Sequence, residues 1–256
     1  MPRGIIHYHI FKNAGTSIDR SLQAHFRSEW TTFEGDSATD LVSSARLNDF
    51  IRAHPAYRAI SSHLARPPLP AGDWLPLVML RHPIERARSV QRFAARDPGQ
   101  PDHRFATKGL ADYIRWALDS NEGGVVVRNY QVIHLSAASF RAPHIYLATA
   151  GEADLADAAG LLEAWACFGI VDRFAESCRL FQARIAPHFP GLQFKPVHDN
   201  ASDPHPPSLA DSLAEIRQEL GPGLYQSLVE VNDLDLRLYA GAVASFSRLC
   251  RGIAAT

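Results

Sequence analysis

The chain has 256 residues, 46% of them hydrophobic, enough for one sizeable core and expected to form a single domain over residues 1–256. A formal net charge of −1 leaves no global excess of positive charge for nucleic acid, so any anion site has to be local. No apolar stretch approaches the ~20 residues that span a bilayer, no basic-then-apolar leader opens the chain, and the three cysteines lack the spacing of a zinc site or disulfide framework; the expectation is a soluble, cytoplasmic protein without a membrane span.

The apolar residues Ile5, Ile6, Tyr8 and Ile10 predict a first strand, and Ile18, Leu22 and Phe26, four apart, predict a helix over 16–27. Between them runs His9-Ile-Phe-Lys-Asn-Ala-Gly-Thr-Ser17. Gly15 lets the backbone approach a ligand, Thr16 and Ser17 bring hydroxyls and free amides to a helix start, and Lys12 adds positive charge. Lys12, Asn13, Ala14, Gly15, Thr16 and Ser17 therefore read as an anion pocket. Its Lys precedes a single Gly, whereas the usual P-loop Lys follows the second of two.

Polar residues over 31–45 predict a connection, Leu47 to Ile51 a short helix stopped at His54-Pro55, and Arg58 to His63 a short strand. Four prolines and Gly72 between Arg66 and Pro76 predict an irregular surface loop. Leu75 to Leu80 reads as a strand buried on both faces. Pro83 then opens a helix with Ile84, Ala87, Gln91 and Ala94 on one face and Glu85, Ser89 and Arg92 on another. Beyond it come a loop over 96–107, a helix from Leu110 to Leu118 and a break at Gly123-Gly124. Val125 to Leu135 reads equally as strand or helix. Glu152 to Trp165 is helical, Cys167 to Val171 is the last buried strand, and a helix from Phe174 is closed by Pro187. A loop from Pro190 to Pro207 precedes two helices, about 208–219 and 222–250. Strands alternating with helices imply an α/β fold, a mostly parallel sheet covered on both faces with ligands at the strand C-terminal ends.

A second informative loop follows the 75–80 strand: Arg81-His-Pro-Ile-Glu-Arg-Ala-Arg-Ser89. Arg81 stands at the strand end and Ser89 two helical turns on. A planar fork of donors with a short hydroxyl makes a second anion site, and two separated sites suit a ligand with two anionic ends. Here the chain resembles the sulfotransferases that use 3′-phosphoadenosine 5′-phosphosulfate (PAPS), in particular the branch of heparan sulfate 2-O-sulfotransferase and the chondroitin and dermatan enzymes. The family's His-x-x-Lys-x-x-Gly-Thr-Ser is matched by His9, Lys12, Gly15, Thr16 and Ser17. Arg81, Pro83, Arg86 and Ser89 match its second loop, with His82 where the family usually has Asp. Weaker echoes are Asn129-Tyr-Gln131, Phe168 to Phe174, and Asn232 to Tyr239.

The resemblance implies a P-loop-like sulfotransferase fold and PAPS as co-substrate, with no metal. The first loop would cradle its 5′-phosphosulfate, and Arg81 and Ser89 would hold its 3′-phosphate. Lys12 would be catalytic, stabilising the departing bisphosphate. The expected partner is a hydroxyl-bearing carbohydrate, such as a glycan, glycolipid or glycosylated small molecule, placed among the loops at 66–76, 96–107 and 196–207. The family's base is a His ending the strand between the two phosphate loops, which points to His63, with Ser62 in place of the family's Gly. A free imidazole, of reference pKa about 6.5, accepts protons near neutral pH. His7 and His9 share a strand face and read as satisfied structural histidines; His9 and His63 show no nearby carboxylate or Cys at metal-ligand spacing. Arg86, Arg88 and Arg92 read as a solvated helix face. Two other readings are an ATP-dependent P-loop-type kinase, which lacks here a Lys after the glycine and a metal-binding Asp, and a nucleotide-binding module without catalysis.

Overall fold

A computed structural model describes residues 2–37, 40–119, 124–142, 144–195 and 208–254. Strands β1 (Gly4–Tyr8), β2 (Trp30–Thr32), β3 (Ala59–Ser62), β4 (Trp74–Leu80) and β5 (Gly169–Ile170) form one five-stranded sheet in the order β2-β3-β1-β4-β5. Every neighbouring pair is parallel, so the chain has an α/β fold. The central strand is β1, flanked by β3 and β4.

Side-chain alternation along the central strands sends alternate residues to two cores. Ile5, Leu77 and Met79 pack with Ile18, Leu22 and Phe26 of α1 (Gly15–Phe26) and with Cys178 and Phe181 of α8 (Phe174–Arg184). Ile6, Tyr8, Val78 and Leu80 face the opposite side. There they meet Leu47 and Ile51 of α2 (Ser44–Ala53), Val132 of α6 (Tyr130–Leu135), Leu162 of α7 (Glu152–Trp165) and Phe246 of α10 (Asp233–Ala254). A third cluster joins α3 (Pro83–Arg96), α4 (His103–Ala106), α5 (Leu110–Asp119) and α9 (Leu209–Glu230).

Several elements differ from the sequence reading. Residues 30–32 are an edge strand rather than part of a connection. Pro76, which the sequence places both at the end of the proline-rich loop and in the 75–80 strand, lies within β4, opposite Ile6. Its missing N–H is tolerated because β5 pairs only with Met79 and Leu80, leaving that edge of β4 open beside Pro76. The loop before β4 is not wholly superficial either, since Arg66 is fully buried, donating to the carbonyls of His63 and Ala65 and to Ser139 Oγ. The 96–107 loop contains the single turn α4, and the ambiguous 125–135 stretch is helical. Near the C-terminus the break expected between 219 and 222 falls at Gly221, non-helical at φ 71° ahead of Pro222, and a second interruption follows at 231–232.

The C-terminal helix is locked to α6 by exchanged capping groups. Asn129, in the left-handed region, leaves its own helix uncapped and lends its side-chain oxygen to the Asp235 N–H at 3.0 Å. Asp235 returns the favour across the interface, accepting from Gln131 N at 3.0 Å and Val132 N at 2.8 Å. The Asn232 side chain, just ahead of α10, accepts from Asn129 N and donates to Val127 O and Leu228 O. Asp235→Ala should orphan two buried amides and lower unfolding stability by about 2–4 kcal/mol, measured by denaturant titration.

Candidate functional site

Parallel register brings three strand ends level. Thr32 pairs with Ser61 and His7 with Ser61 on the other side, so Glu34, His63 and His9 emerge side by side beyond β2, β3 and β1. The His9 and His63 rings stack at 3.9 Å between centroids. His63 Nδ1 is 2.8 Å from Glu34 Oε1, and the His63 backbone N–H reaches both oxygens of that carboxylate. Burial alone would raise the Glu34 carboxyl, but the hydrogen bonds and charge of His63 hold it below the usual carboxylate range.

The other side of this row is anchored in α1. Period-two geometry turns His7 and His9 the same way, toward Asp19 one helical turn into α1. His7 Nδ1 stands 2.7 Å from Asp19 Oδ1, and His9 Nδ1 2.8 Å from Oδ2. An ionised carboxylate only accepts, so both rings donate from Nδ1. Burial pushes Asp19 up, yet the two histidines outweigh it and hold the carboxyl well below the usual range. Burial drives His9 down to about 4, against the opposing hydrogen bond to Asp19. Both Nδ1 atoms are thus satisfied, while the buried His7 Nε2 has no partner among the described residues, so the reading of satisfied structural histidines holds in part, and the carboxylate missing from that reading is present. The separations are those of hydrogen bonds; ligand atoms sharing one tetrahedral zinc stand about 3.3 Å apart.

Gly15 has a role different from the one its position in the motif implies. A β-carbon there would overlap the His9 ring, so the glycine makes room for the imidazole.

The first loop climbs from β1 to α1 through two left-handed residues, Lys12 at φ 64° and Ala14 at φ 59°. Neither is a glycine, so the turn is held by its contacts. Asn13 supplies them: its buried Nδ2 donates to Met79 O and to Gln131 Oε1, both at 2.8 Å, and its backbone N–H goes to Ile10 O. Asn13 thus faces inward as a brace, while Thr16 is exposed and Ser17 half-buried. No side chain caps α1, and no hydrogen bond among the described residues engages the Gly15 or Thr16 N–H. Lys12 Nζ sits 4.5 Å from the centre of the Phe93 ring, and its ammonium is depressed by burial and by the charges of Arg81 and Arg96.

The second loop docks onto the first. Arg81 donates to Lys12 O at 3.2 Å and pairs with Glu85 at 2.8 Å, spending two of its five donors. Gln131 joins both loops: its Oε1 takes the Arg81 N–H as well as Asn13, and its Nε2 donates to Arg81 O. Glu85, Ser89, Arg92 and Arg96 follow one another on a single face of α3. Arg92 and Arg96 are exposed, without an ion pair among the described residues, and the charge of Arg92 bears on Arg81. Arg86 and Arg88, expected on a solvated face, are buried. Arg86 donates twice to Val126 O and lies 4.4 Å above the Tyr130 ring, and Arg88 holds Glu85, Glu215 and Ser212.

Lys12, Gly15, Thr16, Arg81 and the Ser89 face are thus gathered around the ends of β1 and β4, with His63 at the end of β3 on the far side of β1. The residues missed from sequence are Glu34, Asp19 and Asp235. Glu34 and Asp19 sit in no recognisable motif, Asp235 falls within the weak echo at 232–239 without a role assigned to it there, and each is placed only by strand register or helix docking. Of the acceptor loops, residues 196–207 lie outside the described residues.

Gly15→Ala should displace His9 and cost about 1–3 kcal/mol in denaturant unfolding, as for other overpacked sites. Because His9 is held neutral when folded, down to about 4 against about 6.5 unfolded, the unfolded chain binds more protons between those values. Stability should therefore fall on acidification from about pH 6.5 to 4, by up to about 3 kcal/mol from this group. Thermal unfolding across that range, with His9→Gln as the flatter comparison, measures it.

No protein-family model matches the chain. It is similar to an uncharacterized protein of Archaeoglobus fulgidus, 25% identical over 253 residues, which covers 93% of this chain and 95% of the relative. The similarity runs nearly end to end and carries no named activity.

Proposed function

We propose that the chain is a PAPS-dependent sulfotransferase acting on a hydroxyl acceptor, with a carbohydrate or glycosylated molecule as the acceptor class. The observation that carries this reading is the docking of two cationic loops at the ends of adjacent strands, with an imidazole–carboxylate pair at the end of the next. The residues suit a doubly anionic nucleotide. Lys12 and the unpaired Gly15 and Thr16 amides form one anion cradle at a helix N-terminus. Arg81, with three donors left, and Ser89 on the neighbouring helix face form another, in a field strengthened by Arg92 and Arg96.

PAPS supplies an activated sulfuryl group: the acceptor oxygen bonds to sulfur, the bond from sulfur to the 5′-phosphate oxygen breaks, and the bisphosphate leaves with its electron pair. His63 takes the acceptor's proton. Lys12 stabilises the charge that grows on the departing phosphate, and its pinning over Phe93 presets that position. Arg81 fixes the first loop through the Lys12 carbonyl as it holds the 3′-phosphate. Positioning and charge stabilisation do most of the work in the related phosphoryl transfers.

At 100-fold over its Kd, 3′,5′-adenosine bisphosphate should raise the melting temperature by roughly 5–10 °C. Preferential stabilisation by ATP with magnesium would instead favour the kinase. Labelled sulfate should pass from PAPS into a carbohydrate library with wild type and fall at least roughly 100-fold with His63→Ala, while the bisphosphate shift survives. A shift without transfer to any acceptor leaves a nucleotide-binding module.

A further inference from the structure

The row Glu34, His63, His9 and Asp19 contains more than a single base. We infer that Glu34 is the positioning residue for His63, fixing the tautomer in which Nδ1 carries the proton and Nε2 is left to accept. This rests on His63 serving as the base. The carboxylate of Glu34 has no proton to give, so the 2.8 Å contact to His63 Nδ1 requires the ring to be the donor. Its hold is geometric as well. The same carboxylate receives the His63 backbone N–H at 2.9 and 3.1 Å, so ring and main chain are gripped by one group. Since β2 and β3 are in register from Trp30 to Thr32, Glu34 arrives there through strand pairing.

The groups facing His63 explain why one charge suffices. Beyond Glu34 they are His9 from the end of β1, with Asp19 and His7 behind it, buried His134 of α6, and Arg66 from the following loop. Burial keeps His9 and His134 neutral, the first down to about 4 and the second well below the usual range. A proton taken up at Nε2 therefore makes an imidazolium stacked on a neutral ring, with Glu34 as its directly bonded counter-charge. Asp19 is occupied by two Nδ1 donors and holds the His9 ring flat against Gly15. Glu34 thus acts twice, selecting the nitrogen before the reaction and stabilising the charge after it.

Histidine side-chain NMR of the 15N-labelled full chain tests the tautomer without turnover, with His63 assigned by the signal lost in His63→Gln. The wild type should show Nδ1–H at His63 above neutral pH. Glu34→Gln, of the same shape, should give a mixture and reduce kcat roughly 10- to 100-fold. KM for PAPS and the bisphosphate thermal shift should stay within about twofold and a degree or so of wild type, and Glu34→Asp should recover part of kcat. A dominant Nε2–H tautomer in wild type overturns the inference, as does an unchanged tautomer in Glu34→Gln. If no acceptor is turned over at all, the sulfotransferase reading fails while the tautomer measurement still decides the role of Glu34.

Discussion

The side-chain amide of Gln131 is the point on which the rest of the site depends. Its oxygen accepts from Asn13 in the first loop and from the backbone of Arg81 in the second, and its nitrogen donates to the Arg81 carbonyl. A carboxamide is the side chain that can do both, and being buried it has no water to fall back on. Gln131 is itself held by Asp235, which takes its backbone N–H, so the spacing of the two cationic loops is referred back to the C-terminal helix. The two left-handed residues of the first loop are strained for non-glycine side chains. They persist because Asn13, drawn inward by Met79 and Gln131, leaves the turn between them no other path.

A second constraint runs across the sheet. Parallel strands in register end at one level, and β2, β3 and β1 deliver Glu34, His63 and His9 in a row whose two imidazoles are each tied to a carboxylate, His63 to Glu34 and His9 to Asp19. This row and the Lys12–Arg81 pair lie on opposite sides of β1's C-terminal end, at the crevice where open α/β sheets bind ligands. Imidazoles and carboxylates lie to one side, with the buried Arg66 behind His63, while Lys12, Arg81, Arg92 and Arg96 outnumber Glu85 on the other.

The layout was legible where local pattern decides structure. The runs before Lys12 and Arg81, the helical faces of α1 and α3, and the turn at Gly15 all follow from periodicity and residue type. What the pattern did not carry was long-range. Asp19 reads as an ordinary polar position of an amphipathic helix, and only docking of α1 on β1 turns it toward two histidines. Glu34 follows a strand too short and too polar to announce itself. Arg86 and Arg88 look like a solvated face because charge is the usual mark of solvent, yet the carbonyl of Val126 and the Tyr130 ring make a buried berth for one and acidic partners for the other. The weak echoes at 129–131, 168–174 and 232–239 prove to be parts that touch: Asn129 and Gln131 meet Asp235, and Tyr239 donates to Asp172.

That contact pattern bears on the inverted order of Lys and Gly. A lysine placed after the glycine would ride on α1, its reach set by the helix. Lys12 instead stands in the turn, in the left-handed region, with its carbonyl fastened by Arg81 and its ammonium over Phe93 of α3. Both fastenings come from the segment that follows β4. The cation of the first loop is therefore positioned by the second, so that the two cationic loops are set as one unit rather than independently. Any movement of α3 along the sheet shifts Lys12 as well as Ser89, and the spacing of the two loops is held by the Gln131 bridge.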